Sequence, residues 1–396
     1  MVRGSVGLLA LSSLVACSAV SAADEAGSAA PAVAEAKLTV FPSDKAKNLP
    51  TDQLVVVGAS GGTLKSVKVR HAGGELPGAI SADGTRWRST RLARPGTTYT
   101  VTATAANAKG ATTQTTSTFS TVKAERTFDI ERMLPNKNDT DLTVGVGMPI
   151  MIEFTRDVTD RVAVEAALHL RTSKPIEGAW HWFDDRHLDF RPKTYWPAHT
   201  KVHLEARLAG VRGAEGVYGK RDHVLDFKIG REQITKGSTD THHLTVRRNG
   251  KVIRQIPMSA GQGGTWKYYT TSGVHLAMSR EPVTIMISPG IGPGQPGYYR
   301  KTVYNTVRIS SSGEYVHSAP WSVGSQGYAN VSHGCVNVSP SNASWFIRNT
   351  LIGDPIIITG SPRKLEPTNG WGHWQEDWKQ WLKWSTTKSF GTDPLA

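Results

Sequence analysis

The run from Ser332 to Asn337 reads Ser-His-Gly-Cys-Val-Asn, and its composition suits covalent chemistry. A free thiol has a pKa of about 8.5, so a nucleophilic cysteine needs a base or a cation nearby to supply thiolate. Two histidines, His317 and His333, lie near Cys335 in the sequence. A lone cysteine is often an inert buried side chain. The preceding glycine and the two histidines favour instead a reactive thiol that carries out acyl transfer.

One of these two histidines is expected to act as the base. His317 ends an alternating, strand-like run, and its 18-residue separation from Cys335 fits a loop that folds back on itself. His333 is placed less well, because it reaches the sulfur only if the turn at Gly334 bends suitably. The sequence therefore favours His317 as the general base and keeps His333 as the alternative.

Backbone groups are expected to complete the site. No Asp or Glu occurs between residues 315 and 351, so a carbonyl beside the histidine, such as that of Ser318, is a reasonable partner to fix the imidazole tautomer. Gly334 lets the chain turn and expose amides. The N–H groups of Gly334 and Cys335 are therefore candidates for binding the oxyanion of a tetrahedral intermediate.

The elements that must position these groups are predicted to be β-strands. Asn249-Gly250 separates two β-rich runs and predicts a type I′ hairpin, because both residues tolerate positive φ. Further strands are expected at Val283–Ile287, Tyr304–Ile309 and Tyr315–His317. Between the first two of these, residues 289–297 are too rich in Gly and Pro for regular structure. That segment is either a flap over the site or a surface loop.

One helix is predicted after the cysteine. Ser339 suits an N-cap and Pro340 suits the first helical position, so residues 341–351 are expected to be helical until Gly353 ends the helix. A tail follows residue 362. Its tryptophans are spaced by three or four residues, which predicts that they share one face of a helix. This helix is expected to pack on the domain that contains Cys335 or on an adjoining β-rich module. The tryptophans are Trp371, Trp374, Trp378, Trp381 and Trp384.

The chain before residue 233 contains short β-rich runs with turn signals every 8–12 residues. This pattern is typical of β-sandwiches. We interpret residues 37–123 and 124–232 as two immunoglobulin-like modules that space or dock the third domain. Neither contains a cysteine pair, so neither has the disulfide between sheets that antibody domains carry.

The N-terminus has the features of a secretory signal over residues 1–23. Arg3 supplies positive charge, and the apolar run that follows is too short to span a bilayer. Residues 14–17, Leu-Val-Ala-Cys, resemble the lipobox of bacterial lipoproteins and predict lipidation of Cys17. Ordinary cleavage after Ala22 is the alternative. Residues 24–36 are small and polar, which is typical of a flexible tether.

The composition bounds the partners. With 38% hydrophobic and 20% charged residues, the chain is expected to be globular rather than disordered. A formal net charge of +13 is compatible with solubility alone and with residence beside polyanions. Nucleic acid is not expected, since the sequence lacks zinc-ligand spacing, Arg-rich runs and aromatic ribonucleoprotein motifs.

The chemical motif resembles the signature of the L,D-transpeptidases with a YkuD-like catalytic domain. Residues 317–322 read His-Ser-Ala-Pro-Trp-Ser, and Ser332–Asn337 follows them at the family's spacing. The wider layout is similar to that of the actinobacterial members. The resemblance implies a mainly β fold, with two immunoglobulin-like β-sandwich modules, a β-rich catalytic domain with a few helices over residues 233–362, and a Trp-rich extension over residues 363–396.

The same resemblance implies a reaction and its residues. The family links peptidoglycan stems 3→3: it acylates a cysteine with a tetrapeptide donor, releases D-Ala and transfers the acyl group to a diaminopimelate amine. It implies Cys335 as nucleophile, His317 as base, Ser318 as orienting residue, and His333 and Gly334 beside the oxyanion. Implied substrate contacts are Tyr299 (or Tyr298), Ser312, Gly313, Trp321, Ser332 and Asn337.

The resemblance also implies covalent inhibition by carbapenems, attachment to the membrane through a lipid anchor, and a location outside the cytoplasm facing the cell wall. No cofactor or metal is implied. Two other functions remain open from the sequence. A thiol amidase, carboxypeptidase or endopeptidase would use water as the acceptor, and a non-catalytic lipoprotein would only bind the wall.

Overall fold

Short strands joined by turns make up most of the chain, as the sequence predicts. A computed structural model describes residues 34–288, 291–296 and 298–395. Three hydrophobic cores form within it, one in each predicted β-module and one around the cysteine motif. Cys17 and the rest of the predicted signal lie outside the described residues. No helix in the described part is long and apolar enough to cross a bilayer.

The core of the first module, residues 37–123, lies between two sheets. Alternation explains the packing, because Tyr99, Val101 and Ala103 point inward while the threonines between them face outward. The sheets have the orders β1-β3-β7-β6 and β2-β9-β8-β4-β5. Their strands are β1 Lys37–Phe41, β2 Ala46–Leu49, β3 Val56–Ser60, β4 Thr63–His71, β5 Gly74–Glu75, β6 Gly78–Ile80, β7 Arg86–Ser89, β8 Thr98–Ala106 and β9 Thr112–Thr121.

The second core also lies between two sheets, with a short three-stranded sheet beside them. Large side chains fill it, among them Trp180, Trp182 and Trp196. Its elements are β10 Arg126–Phe128, β11 Ile130–Leu134, β12 Thr143–Val144, β13 Ile150–Phe154, α1 Arg161–Ala166, β14 Leu168–Thr172, β15 Glu177–Trp182, β16 His187–Pro192, β17 Lys201–Ala206, β18 Arg212–Ala214, β19 Val217–Gly219 and β20 His223–Ile229.

The third core backs a nine-stranded sheet of order β24-β29-β21-β22-β23-β28-β27-β26-β25. Its elements are β21 Gln233–Ser238, β22 His243–Arg248, β23 Lys251–Ser259, β24 Gly273–Leu276, β25 Ser279–Ile287, β26 Arg300–Arg308, β27 Tyr315–Ser318, β28 Val336–Val338, α2 Pro340–Asn349 and β29 Pro355–Thr359, with 3₁₀ turns at Trp266–Tyr268 and Pro320–Ser325.

Local signals in this domain are confirmed. Asn249 and Gly250 have φ values of 49° and 76°, as the type I′ turn between β22 and β23 requires. Ser339 caps α2 by accepting from the Asn342 N–H at 3.3 Å, and Pro340 is the first helical residue. The helix ends at Asn349, two residues before the predicted end.

The prediction of a single helix that carries all five tryptophans of the tail is wrong. Through residue 395, where its description ends, the extension contains only α3 Trp378–Trp381 and a 3₁₀ turn at Leu382–Trp384, followed by two short strands, β30 Phe390–Gly391 and β31 Asp393–Pro394. Turns at Pro367 and Gly370, which has a φ of 84°, prevent helix before residue 377.

The extension packs on both the second module and the third domain, the two alternatives that the sequence left open. The last strands extend the sheets of the second module, β30 beside β15 and β31 beside β14. Gln375 Nε2 donates to the Val274 carbonyl of the third domain at 2.8 Å. The extension therefore ties the second module to the third domain.

Candidate active site

The cysteine motif lies where two parallel strands meet. β27 pairs with β28 in a register that places His317 opposite Asn337, and Cys335 directly precedes β28. Paired residues of neighbouring strands, and residues two apart on one strand, share a sheet face. Cys335, Asn337 and His317 therefore project to the same side. With strands about 4.8 Å apart and a rise of about 3.3 Å per residue, the Cα atoms of Cys335 and His317 are about 8 Å apart along the diagonal.

A cavity of about 720 Å³ opens on this side of the sheet. The hairpin of β25 and β26 forms one wall, and Ile291 from the Gly/Pro-rich segment also lines the cavity, as the flap interpretation requires. Ten of the predicted site residues line it, namely Tyr299, Ser312, Gly313, His317, Trp321, Ser332, His333, Gly334, Cys335 and Asn337.

Cys335 is half-buried and forms no disulfide within the described part of the chain. Its Sγ donates to the Gly313 carbonyl at 3.6 Å. Burial raises the pKa of the thiol to about 12, the hydrogen bond from the Tyr315 backbone opposes the rise, and the charge of Glu314 adds to it. The thiol is therefore protonated and neutral at physiological pH.

His317 is buried behind the thiol, with 3% of its surface exposed. Its Nδ1 donates to the Ser318 carbonyl at 2.9 Å, which leaves Nε2 as the proton acceptor. Burial lowers the pKa of His317 to about 4; the bonds to Ser318 and Asn337 oppose this, and the positive charge of Lys301 lowers it further. The imidazole is neutral at physiological pH and is able to accept a proton.

His333 occupies a different environment. It is exposed, and its ring stacks on Tyr268 with centroids 4.5 Å apart and an angle of 20° between the planes. The Tyr299 ring lies 5.6 Å away on another side. These contacts place His333 in the wall of the cavity, where it contacts aromatic rings.

The turn before Cys335 is held by Ser332. The Ser332 Oγ donates to the Cys335 carbonyl at 2.6 Å and accepts from the Gly334 N–H at 3.1 Å. Of the two amides predicted for the oxyanion, that of Gly334 is therefore already hydrogen-bonded within the protein. Gly334 has a φ of +127°, and its carbonyl accepts from Thr270 Oγ1 at 2.7 Å, so glycine here serves the backbone geometry.

Two predicted substrate contacts also have partners in the protein. Asn337 Nδ2 donates to Ser322 Oγ at 3.1 Å, and the Asn337 side chain beside the imidazole raises the pKa of His317. Asn337 is thus placed to stabilise an imidazolium. Trp321 is half-exposed, with Lys301 Nζ 3.5 Å from its ring centroid and the His317 ring 6.0 Å away.

The structure distinguishes the two tyrosines that follow the Gly/Pro-rich segment. Tyr299 lines the cavity, and burial raises the pKa of its hydroxyl, with a further rise from the nearby Cys335. Tyr298 is not among the residues that line it. Ser312 and Gly313 lie at the tip of the loop between β26 and β27, against the thiol.

The sequence analysis missed several residues of the cavity. Glu314 is 4% exposed, and its carboxylate accepts from the Thr271 N–H and hydroxyl at 2.6 and 2.7 Å. It directly precedes residues 315–351, which contain no Asp or Glu. Lys301 gave no signal, because only the pairing of β26 with β27 brings it near His317. No group of three or more His, Cys, Asp or Glu residues in the described part is arranged to hold a metal ion.

Comparison with known proteins finds matches in both the N-terminal modules and the third domain. A sequence model described as an L,D-transpeptidase catalytic domain matches residues 235–358, and one described as a bacterial Ig domain matches residues 46–212. L,D-transpeptidase 2 of Mycobacterium tuberculosis (strain CDC 1551 / Oshkosh) is 37% identical over 349 residues, which is 87% of this chain and 84% of that protein.

The chain belongs to the L,D-transpeptidase family. L,D-transpeptidase 5 of Mycobacterium tuberculosis (strain ATCC 25618 / H37Rv) is 32% identical over 367 residues, which is 91% of this chain and 79% of that protein. The solved structure of LD transpeptidase LdtMt1 in complex with imipenem is 37% identical, covers 58% of this chain and 99% of that chain, and has a TM-score of 0.49. The predicted family and fold class are confirmed.

Proposed function

We propose that this L,D-transpeptidase cross-links peptidoglycan stems 3→3 through a thioester on Cys335. The observation that supports this most directly is the shared sheet face of Cys335 and His317 beneath one cavity. Membership of the family supplies the reaction. The bond from His317 Nδ1 to Ser318 leaves Nε2 free to accept a proton, which supports His317 as the base.

In the first half-reaction, Cys335 Sγ attacks the carbonyl carbon of the donor stem that precedes the terminal D-Ala. The thiol proton passes to His317 Nε2, and the imidazolium then gives it to the departing amine of D-Ala. A C–S bond forms, a C–N bond breaks, and a thioester remains. The raised thiol pKa and the lowered histidine pKa favour a neutral resting pair, so we propose that proton transfer accompanies the attack.

In the second half-reaction, the side-chain amine of a diaminopimelate residue attacks the thioester. His317 takes the proton of the amine, the C–S bond breaks, and a proton returns to Cys335. Asn337 supports both halves, because its bond to the ring favours the imidazolium form.

Incubation with a disaccharide-tetrapeptide, followed by mass spectrometry, tests this proposal. Cross-linked dimers together with released D-Ala support transfer. Shortened stems without dimers would instead indicate a hydrolase that uses water as acceptor. Dimer formation by the Cys335→Ala variant at the rate of the parent protein would refute Cys335 as nucleophile. Absence of both dimers and released D-Ala with the parent protein would instead favour a protein that only binds the wall.

Separate replacement of the histidines tests the base. His317→Ala is expected to lower acylation by about 10²–10⁴-fold, the usual contribution of a positioned base. His333→Ala is expected to have a smaller effect, because its ring packs on Tyr268. A larger loss from His333→Ala would reverse the assignment.

We also propose that carbapenems acylate Cys335. The relative solved with imipenem and the enclosed thiol support this. Intact-protein mass spectrometry after exposure to imipenem measures the adduct, and peptide mapping locates it. An adduct on any other residue would contradict the proposal.

The location of the protein rests on sequence alone. We propose that Cys17 is lipidated and anchors the enzyme to the outer face of the cell membrane, toward its substrate. A diacylated cysteine supplies the two chains needed for stable anchoring. Incorporation of labelled palmitate that is lost in Cys17→Ala supports the anchor, whereas a mature N-terminus at Ala23 would show ordinary cleavage.

A further inference from the structure

The tip of the loop between β26 and β27 forms the wall nearest the thiol. A short turn shapes it, in which the Gly313 N–H donates to the Ser310 carbonyl at 3.4 Å and the Ile309 N–H donates to the Glu314 carbonyl at 2.9 Å. Gly313 has a φ of +93°. Its carbonyl accepts from Cys335 Sγ, so the conformation of this tip determines what faces the sulfur.

A side chain of the C-terminal extension holds the tip in place. Asn369 Oδ1 accepts from the Ser312 N–H at 2.9 Å, and Asn369 Nδ2 donates to Ser312 Oγ at 3.1 Å. The same Nδ2 donates to Glu366 Oε2 at 2.9 Å, which fixes the amide orientation. One amide side chain thus binds both the backbone and the side chain of Ser312.

The extension is a rigid support for this contact. Trp374 Nε1 donates to the Gly147 carbonyl at 2.8 Å, and His373 Nε2 lies 2.6 Å from Asp189 Oδ2, both in the second module. At Gly370, a Cβ atom would lie 3.0 Å from the Ser311 nitrogen, so the extension runs directly against the loop. Exposed loop tips are otherwise among the most mobile parts of a fold.

We propose that Asn369 is a positioning residue for the reaction, which holds the Ser312–Gly313 tip so that the Gly313 carbonyl faces the Cys335 sulfur. This inference rests on the proposed role of Cys335 as nucleophile. Asn369 acts through Ser312 and does not itself line the cavity. The extension, which connects two domains, thereby also completes the active site.

The rate of Cys335 acylation by imipenem in the full-length protein tests the proposal. Asn369→Ala is expected to lower the second-order rate constant by about three- to tenfold, the effect of losing one or two fixed hydrogen bonds. Thr368→Ala is the matched control, because its exposed side chain makes no hydrogen bond within the described part of the chain; it is expected to react like the parent. Equal rates for the two variants would overturn the proposal.

A donor–acceptor exchange separates positioning from simple packing. Asn369→Asp keeps the shape but places a carboxylate against Glu366, so acylation is expected to fall. In the double variant Glu366→Gln/Asn369→Asp, the new amide at position 366 donates and the new carboxylate at position 369 accepts, the reverse of the parent pair. Ser312 Oγ is able to donate to this carboxylate instead of accepting. Recovery to within about twofold of the parent supports the hydrogen-bond network. No recovery in a protein with the parent's melting temperature would contradict it.

The same assay separates this inference from the proposed function. If Cys335→Ala still forms the imipenem adduct, the assignment of the nucleophile fails. If the adduct requires Cys335 but Asn369→Ala reacts like the parent, only the role of Asn369 fails.

Discussion

Trp381 packs the extension against the second module. It is fully buried, its ring stacks on His181 with centroids 4.3 Å apart, and its Nε1 donates to the Ala179 carbonyl at 3.0 Å. The guanidinium carbon of Arg191 lies 4.7 Å from its centroid. Burial lowers the pKa of Arg191 to about 10, so the arginine stays charged at neutral pH and is stabilised by the aromatic rings around it.

Trp381→Ala removes this packing. Loss of a buried tryptophan typically costs about 3–5 kcal/mol of unfolding free energy. For a domain of this size that corresponds to a fall of about 12–20 °C in the melting temperature, at about 4 °C per kcal/mol. Trp381→Phe keeps most of the ring contact but loses the Nε1 hydrogen bond, so the expected cost is about 1 kcal/mol.

Differential scanning calorimetry measures both effects, and Trp384→Ala is the control. Trp384 follows in the adjoining 3₁₀ turn but is 58% exposed. Its replacement is expected to change the unfolding free energy by no more than about 0.5 kcal/mol. Equal shifts for Trp381→Ala and Trp384→Ala would refute the packing of the extension on the second module.

Three further predictions concern the thiol. With a thiol pKa of about 12, the thiolate fraction at pH 7 is about 10⁻⁵. The rate of iodoacetamide alkylation of Cys335 is therefore expected to rise with pH up to pH 10 without reaching a plateau. A rate profile that levels off with a midpoint near pH 8.5 would contradict the buried environment. Glu314→Gln removes a negative charge that raises the thiol pKa, so alkylation at a fixed pH is expected to accelerate; an unchanged rate would show that the charge does not reach the sulfur. Gly334→Ala places the added methyl in ordinary van der Waals contact, 3.7 Å from the Tyr269 carbonyl oxygen, but the φ of +127° disfavours alanine. Slower acylation by imipenem is therefore expected, and a parent-like rate would mean that the turn does not require glycine.

Local patterns predicted the parts of the fold that depend on neighbouring residues. The Asn249-Gly250 turn and the cap at Ser339 are confirmed, because each is set by a few adjacent residues. The tryptophan spacing of the extension was misleading. Three of those rings, Trp374, Trp378 and Trp381, do lie near one cation, but they gather around Arg191 of the second module and not along a helix.

The site residues likewise separate into those that local patterns indicated and those whose surroundings only the fold decides. The sequence indicated Cys335, His317 and the orienting carbonyl of Ser318, since motif spacing and the lack of acids from residue 315 to 351 left few alternatives. The sequence placed Asn337 against substrate, whereas in the fold its side chain donates to Ser322 Oγ and raises the pKa of His317. It proposed the Gly334 amide for the oxyanion, whereas Ser332 Oγ accepts from that amide.

The sequence by itself predicted a nucleophile and its candidate bases and determined the mainly β layout, because residue type and spacing carry that information. Only the tertiary structure decided which side chains surround the thiol. Glu314 and Lys301 act on Cys335 and His317 through space, and their influence depends on strand pairing. Asn369 lies 57 positions after Ser312 and reaches it only because the extension is held between the second module and the third domain. Contacts between residues so far apart leave no local pattern, so the fold alone brings them to the site.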